Sequence, residues 1–427
     1  MPWKSFHRGI LARAADGKAT LRGRPRGGRR PPPADVAATF LRWTFLRAVF
    51  HRGYVLASGL YLVIDAHQPA ARLLVLGAVL AVTLLVSDLP AGAWSDAVSR
   101  KWPLVAGHLF LAAGMAMTGL VTAFPLLVVT QVLWGLGWGF SSGADVAWVT
   151  DELARPGGVD RVLAARARWD ALGSAAGMVA FGLLGWAIGL GAAIVASGVA
   201  MGGAGLFVAA RFTEDNFTPA RGRLWRASLS ICLRGAALAR RDHQILLMLA
   251  ATMLINGASM AARLFPLRLV GLGFLGDPVL WYAALGIACF AAGAAALRVV
   301  EARIGAPGAA RRAYVLGCLA GVAGLVVLAV APDALLGGAG VVLASGVAFN
   351  VTRAAGVIWV NRRTTSDVRA TVHSFLSQAE CAGEIVSGVA LAAVARAAGV
   401  AAVLLTAAVI VTFTGMLVFG EGRLSDH

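Results

Sequence analysis

The sequence predicts an all-α membrane protein of twelve transmembrane helices, arranged as two pseudo-symmetric six-helix bundles. Three observations carry this. The 427 residues are 59% apolar and only 14% charged, with a mean hydropathy of +0.76, whereas a soluble domain carries roughly 25% charged residues. Apolar runs near the ~20 residues that a membrane-crossing helix needs recur twelve times between short polar breaks. The second half of the chain echoes the first at an offset of about 209 residues.

Residues 1–38 come first and stand apart. Lys4, Arg8, Arg13, Lys18, Arg22, Arg24, Arg26, Arg29 and Arg30 face only Asp16 and Asp35, and 23–33 is Gly, Pro and Arg alone. That composition reads as a disordered basic tail, and no apolar stretch followed by a small-residue cleavage site makes it a secretory signal. The N-terminal bundle occupies 39–210, with spans at 43–64, 72–90, 103–122, 125–148, 169–187 and 190–210. A basic linker, 211–243, leads to the C-terminal bundle, 244–420, with spans at 244–268, 280–299, 313–331, 335–359, 372–395 and 400–419. Residues 421–427 close the chain.

The formal net charge of +17 would suggest nucleic acid in a soluble protein. Here Lys and Arg collect in the tail, in every second loop and at the C-terminus, while the alternate loops hold one, Arg396. The positive-inside rule then places both termini in the cytoplasm of a multi-pass cell-membrane protein. The tail is attracted to anionic lipid, nucleic acid is not expected as a partner, and a monomer is.

Cysteines 232, 289, 318 and 381 lack C-x-x-C spacing and read as small apolar residues. Gly271-Leu272-Gly273-Phe274-Leu275-Gly276 fits a dinucleotide pattern but follows a membrane span rather than a strand. No phosphate loop appears, which argues against a nucleotide-driven pump. Neither cofactor nor metal is expected.

The internal echo is specific in places. Gly137-Trp138-Gly139-Phe140 with Trp148 is matched by Gly346-Val347-Ala348-Phe349 with Trp359, and Arg161, Gly177 and Gly182 by Arg369, Gly383 and Gly388. Parallel repeats joined by a long linker are one arrangement of transporters. The pairs Gly173/Gly177, Gly185/Gly189 and Gly317/Gly321 allow close helix approach.

The loop between the second and third spans, Gly92-Ala93-Trp94-Ser95-Asp96-Ala97-Val98-Ser99-Arg100-Lys101, resembles the signature of the major facilitator superfamily at that place. Ala97 stands for its first basic residue and Ser99 for its second Gly. Asp88-Leu89-Pro90-Ala91-Gly92, Gly143-Ala144-Asp145-Val146-Ala147-Trp148 and the run 368–378 are similar to segments of a drug-efflux-like branch. The resemblance implies a clasp on the cytoplasmic side: Asp96 at the start of the eleventh helix when that side is closed, and Arg100 on Asp151, with Lys101 and Asp88 also in the gating region. It further implies a central cavity lined by the first, fourth, seventh and tenth helices, making Gln131, Trp134, Trp138, Asn256, Asn350, Arg353 and Trp359 candidate substrate contacts. Two features depart from its drug/proton antiporters. Gln131 stands where they carry an arginine, and 173–189 lacks their Gly-Pro pair.

Ionisable groups inside spans are costly and mark pathways, proton sites or pairs. His373, Ser377, Glu380 and Glu384 fall at i, i+4, i+7 and i+11, on one helix face. Two carboxyls that close in a low-dielectric cavity do not both stay ionised cheaply, which suits a proton carrier; the alternative is that they bond hydroxyls, backbone or Arg353. Asp145 could bind a cation, carry a proton or pair with Arg52, and Asp88 could cap a helix ending at Pro90. His51 is either a relay or a satisfied structural group. Together these residues lead to the expectation of a secondary active transporter working by alternating access, exporting a small amphipathic compound against protons. An importer of a metabolite and a non-transporting membrane scaffold are the alternatives.

Overall fold

The computed structural model describes residues 33–153, 158–219, 243–306, 308–363 and 366–424, and among them every regular element is a helix. The N-terminal half contains α1 (Pro33–Ile64), α2 (Ala70–Ala97), α3 (Lys101–Thr118), α4 (Phe124–Leu153), α5 (Gly158–Ile188) and α6 (Leu190–Arg211). The C-terminal half contains α7 (His243–Leu272), α8 (Pro278–Arg303), α9 (Ala309–Val330) and α10 (Ala334–Arg362). It ends in Ser366–Leu424, which a non-helical Gly399 divides into α11 (366–398) and α12 (400–424). With 366–424 counted as one, nine of these are long and apolar enough to cross a membrane. α1 and α3 are more polar, holding Arg47, His51 and Arg52, and Lys101 and His108 respectively, yet they pack inside the same bundle. Most of the basic tail and linker, with Cys232 and 425–427, lies outside the described residues.

Several boundaries move, each for a local reason. α1 begins at Pro33, inside the stretch read as tail, because proline is accepted in a first helical turn and Val36 and Phe40 have a core to enter. α2 does not stop at Pro90 but continues to Ala97, so Asp88 is no helix cap; it is exposed on the helix side. α5 starts at Gly158 rather than 169 and takes Arg166 into the helix. α4 breaks between Ser141 and Ala144. α7 tightens to a 3-10 turn over Met260–Leu264, just before Pro266. α10 widens to a π-helix over Val342–Ala348, where the Asn350 amide donates to the Ser345 and Gly346 carbonyls at 2.9 and 2.8 Å. That bond satisfies backbone acceptors at the widened turn.

The sequence repeat becomes a structural one at its glycines. A Cβ on Gly177 would stand 2.3 Å from the Val49 carbonyl of α1, and one on Gly383 would stand 2.0 Å from the Met253 carbonyl of α7. These two therefore seat α5 and α11 on the first helix of their own halves. One further turn along, Gly182 meets Ala283 of α8 and Gly388 meets Ala78 of α2, both across the interface. The turns after α5 and α11 are single residues, Gly189 (φ +92°) and Gly399 (φ +81°), a left-handed conformation that glycine adopts without a Cβ clash.

Each half has its own core. One core, Val36, Phe40, Trp43, Leu104, Trp148 and Phe212 among others, belongs to the N-terminal half at the face that bears the chain termini. At the opposite, far face the cores cross. Tyr54, Tyr61 and Leu190 pack with Val270, Phe274 and Tyr282, and Val63, Leu73 and Leu74 join the C-terminal core. Gly59 against Pro266 and Gly77 against Arg263 close the same region. The halves thus meet tightly in the far half of the bundle.

Candidate functional site

On the termini side of that seal, two adjoining cavities lie between the halves, with Phe349 in the wall of both. The first, about 530 Å³, is bordered by Ser142 and Gly143 at the break in α4, Thr252 and Asn256 of α7, and Arg353 of α10. Ser259, Tyr314 and Thr352 add to it, and the rest of its polar wall is α11, where His373, Ser377, Glu380 and Glu384 all border the space. Helical spacing alone places these four together. Arg353 Nη2 lies 3.0 Å from Glu380 Oε2, His373 Nε2 lies 2.8 Å from Asn361 Oδ1, and Asn256 Nδ2 donates to the Thr252 carbonyl at 2.8 Å. Glu384 has no ion-pair partner within 4.0 Å among the described residues, but the charges of Arg263 and Arg353 act on it. The cavity therefore holds one paired carboxyl and, a helical turn away, one that is not directly paired.

Asp145 lies elsewhere. It is 2% exposed, and its Oδ2 takes Arg166 Nη2 of α5 in a close ion pair and Arg47 Nη1 of α1 at 3.5 Å. Its Oδ1 accepts from the Val146 N–H at 2.7 Å. The Arg47 guanidinium stacks over Trp43 and Trp138, at 5.2 and 4.7 Å from the ring centroids, and Arg166 lies over Phe40. The expected partner Arg52 is not used, because it sits more than a turn further along α1 and lines the second cavity. Arg166 went unrecognised in the sequence because it fell in a stretch read as loop.

The aromatic candidates of α4 line neither cavity. His51 stacks on Trp134 and meets Trp138 edge-on, at 6.0 and 4.9 Å, within the N-terminal half. Gln131 is 3% exposed and touches Thr130 at 3.4 Å. Trp359 is 7% exposed in the C-terminal core. These expected cavity contacts are packing residues in this structure, since their helix faces turn toward their own half. Asn350 borders the second cavity, although its amide is committed to the π-helix.

At the termini face, Arg100 binds Asp151 at 3.2 Å and forms a close ion pair with Asp96 one turn before it. Among the described residues Asp96 has no bond to α11; its partner is Arg100. Lys101 lies over the Trp102 ring. The sequence also concealed Glu214, in the loop after α6. Its carboxylate accepts from the Ser99 hydroxyl at 2.7 Å, the Lys101 N–H at 2.9 Å and the Arg100 N–H. It thereby satisfies free amides at the start of α3. Replacing a capping acceptor costs about 0.5–2 kcal/mol, so Glu214→Ala is expected to lower the unfolding temperature by a few degrees with transport retained; an unchanged melting curve in detergent would refute the cap.

The description Major Facilitator Superfamily belongs to a family model that matches residues 44–388. The chain belongs to this superfamily. Among the described residues, no group of three or more His, Cys, Asp or Glu is placed to hold a metal ion. Superfamily structures resemble it along nearly their whole length. A mutant of the nucleoside transporter NupG matches with a TM-score of 0.76 at 14% identity, covering 90% of this chain and 99% of that one. A POT family transporter in complex with a thioalcohol conjugated peptide matches at 0.70 and 9%, covering 91% and 96%. The human organic anion transporter MFSD10 matches at 0.60 and 17%, covering 91% and 100%. No curated protein matches. At such identities these likenesses concern the fold, a multi-pass transporter fold of the superfamily.

Proposed function

We propose that this chain is a secondary active transporter working by alternating access, coupling proton movement through Glu384 and Glu380 to export of a small amphipathic compound. The observation that carries the reading is the placement of both carboxyls in a cavity between the halves, on the termini side of a sealed far face. A proton on Glu384 offsets the cost of a charge in a low-dielectric wall. Glu380, released from Arg353, offers a second site. Rocking the halves about the cavity would then exchange protons and cargo between faces. The basic tail and loops support placing the termini face in the cytoplasm.

In this reading Asp96, Arg100 and Asp151 form a gate that re-pairs when the termini face closes. Asp145, held by two arginines, is a structural pair rather than a carrier. His51, among aromatic rings, is a packing residue.

The test is flux in proteoliposomes under an imposed pH gradient, with amphipathic compounds of different charge as cargo. Glu384→Gln is expected to abolish gradient-driven accumulation while leaving downhill exchange, and Glu380→Gln to reduce accumulation several-fold. Wild-type accumulation with normal proton movement in the Glu384→Gln protein would remove α11 as the coupling element.

A further inference from the structure

The second cavity, about 620 Å³, has walls from α1, α5, α7, α8 and α10. Its size is that of a site for a small organic molecule. The lining is chiefly apolar, with Leu56, Met178, Phe265, Leu285, Phe290 and Leu297 among its side chains, and it contains no acidic residue. The one charged group in the wall is Arg52 of α1, twelve residues from the far end of α1. At 1.5 Å per residue that is about 18 Å of helix, beyond the reach of a snorkelling side chain to the far interface.

Arg52 differs from the other arginines placed deep in the bundle, among which Arg263, likewise without an ion pair within 4.0 Å, has the charge of Glu384 acting on it. Arg47 and Arg166 share Asp145, Arg353 binds Glu380, and Arg268 donates to the Leu328, Ala329 and Ala331 carbonyls. No ion pair within 4.0 Å reaches Arg52 among the described residues, and its Nε is buried with no hydrogen-bond partner. An uncompensated guanidinium on an apolar wall is expensive. A ligand that brings an anionic group to the fork and lays an apolar body along the remaining wall removes both costs at once.

We infer that the cavity between α5 and α8 is a binding site for an amphipathic monoanion, with Arg52 holding the carboxylate or phosphate and the Met178–Phe290–Leu297 wall holding the apolar part. This rests on the transporter reading above and gives its cargo a charge. The anion is not placed against Glu380 and Glu384. It occupies the adjoining space on the other side of Phe349, where no carboxylate repels it.

The experiment is calorimetric titration of the full-length protein in phosphatidylcholine nanodiscs, corrected for empty discs, with decanoate, 1-decanol and decyltrimethylammonium. Decanoate is expected to saturate one site at least tenfold more tightly than the other two. Arg52→Gln should remove that preference, Arg52→Lys should keep part of it, and Gly286→Leu, which fills the wall beside Met178 and Leu56, should weaken decanoate and decanol together. A second readout separates a ligand-binding arginine from a structural one. Arg52→Gln without ligand should melt at or above the wild-type temperature, since it removes an unpaired charge. Equal decanoate affinity in wild type and Arg52→Gln, or a lower melting temperature for that variant without ligand, overturns the proposal.

Discs containing phosphatidylglycerol identify the source of the anion. Competition with decanoate there assigns the site to a lipid headgroup, and unchanged binding assigns it to a soluble anion; both retain the site. Arg52-dependent binding combined with wild-type proton coupling in Glu384→Gln would keep this site and remove the coupling assignment. Proton-coupled flux of cationic cargo that is indifferent to Arg52→Gln would do the reverse.

Discussion

Asp145→Ala is expected to produce the largest loss of stability among substitutions of charged residues in this chain. The carboxylate is almost fully buried and is the shared partner of Arg47 and Arg166. Its removal leaves two guanidinium groups facing each other beside the aromatic rings of Phe40, Trp43 and Trp138. Removing one member of a buried ion pair costs about 3–5 kcal/mol, a large share of the ~5–15 kcal/mol by which proteins are stable. The three groups also tie α1, α4 and α5 together, so the loss should appear as cooperative unfolding of the N-terminal half. Tryptophan fluorescence during thermal unfolding in detergent would follow it. Replacing all three charges together, as Arg47→Met, Asp145→Leu and Arg166→Met, should recover most of the stability, because an apolar set has no charge to desolvate. If Asp145→Ala melts with the wild type, the triad is not a structural element.

The second large effect divides the glycines of α5 and α11 into two kinds. Gly177→Val and Gly383→Val place a side chain onto the backbone carbonyls of Val49 and Met253, within the halves. Neither carbonyl can move without moving its helix, so both variants should fail to accumulate as folded protein. Gly182→Val and Gly388→Val push instead on Ala283 and Ala78, across the interface. The halves can answer that push by separating at the far face, and these variants should fold. They should populate the opposite state, with cysteines placed near Ala78 and Ala283 becoming reactive to membrane-impermeant maleimide. Folding failure in all four, or wild-type labelling in the second pair, would contradict this division.

Much of this was legible in the sequence, and the parts that were not have physical causes. Hydropathy located the helices, and charge asymmetry predicted which ends share a face. The α11 stripe of His373, Ser377, Glu380 and Glu384 was visible because helical periodicity alone places those residues together. Asp145's partners were not visible: Arg166 lies 21 residues away, on the basic first turns of α5 that composition cannot tell from a loop. The cap supplied by Glu214 crosses more than a hundred residues and leaves no local pattern. Trp134, Trp138 and Trp359 were misplaced for another reason. A tryptophan on a membrane helix has the same hydropathy whether it faces a cavity or its own half, and packing decides between them. Continuity through Pro90 was missed because proline only weakens a helix whose flanks are held by neighbours.

Gly189 and Gly399, each a joint of one residue, carry a mechanical consequence. A joint that short holds no slack, so α6 cannot slide along α5, nor α12 along α11. Each hairpin is a stiff fork closed at the far face. Motion between the halves then carries each fork as one stiff lever rocking about the cavity, and the stroke grows with distance from that axis. On the termini side that travel falls where Arg100, Asp96 and Asp151 stand.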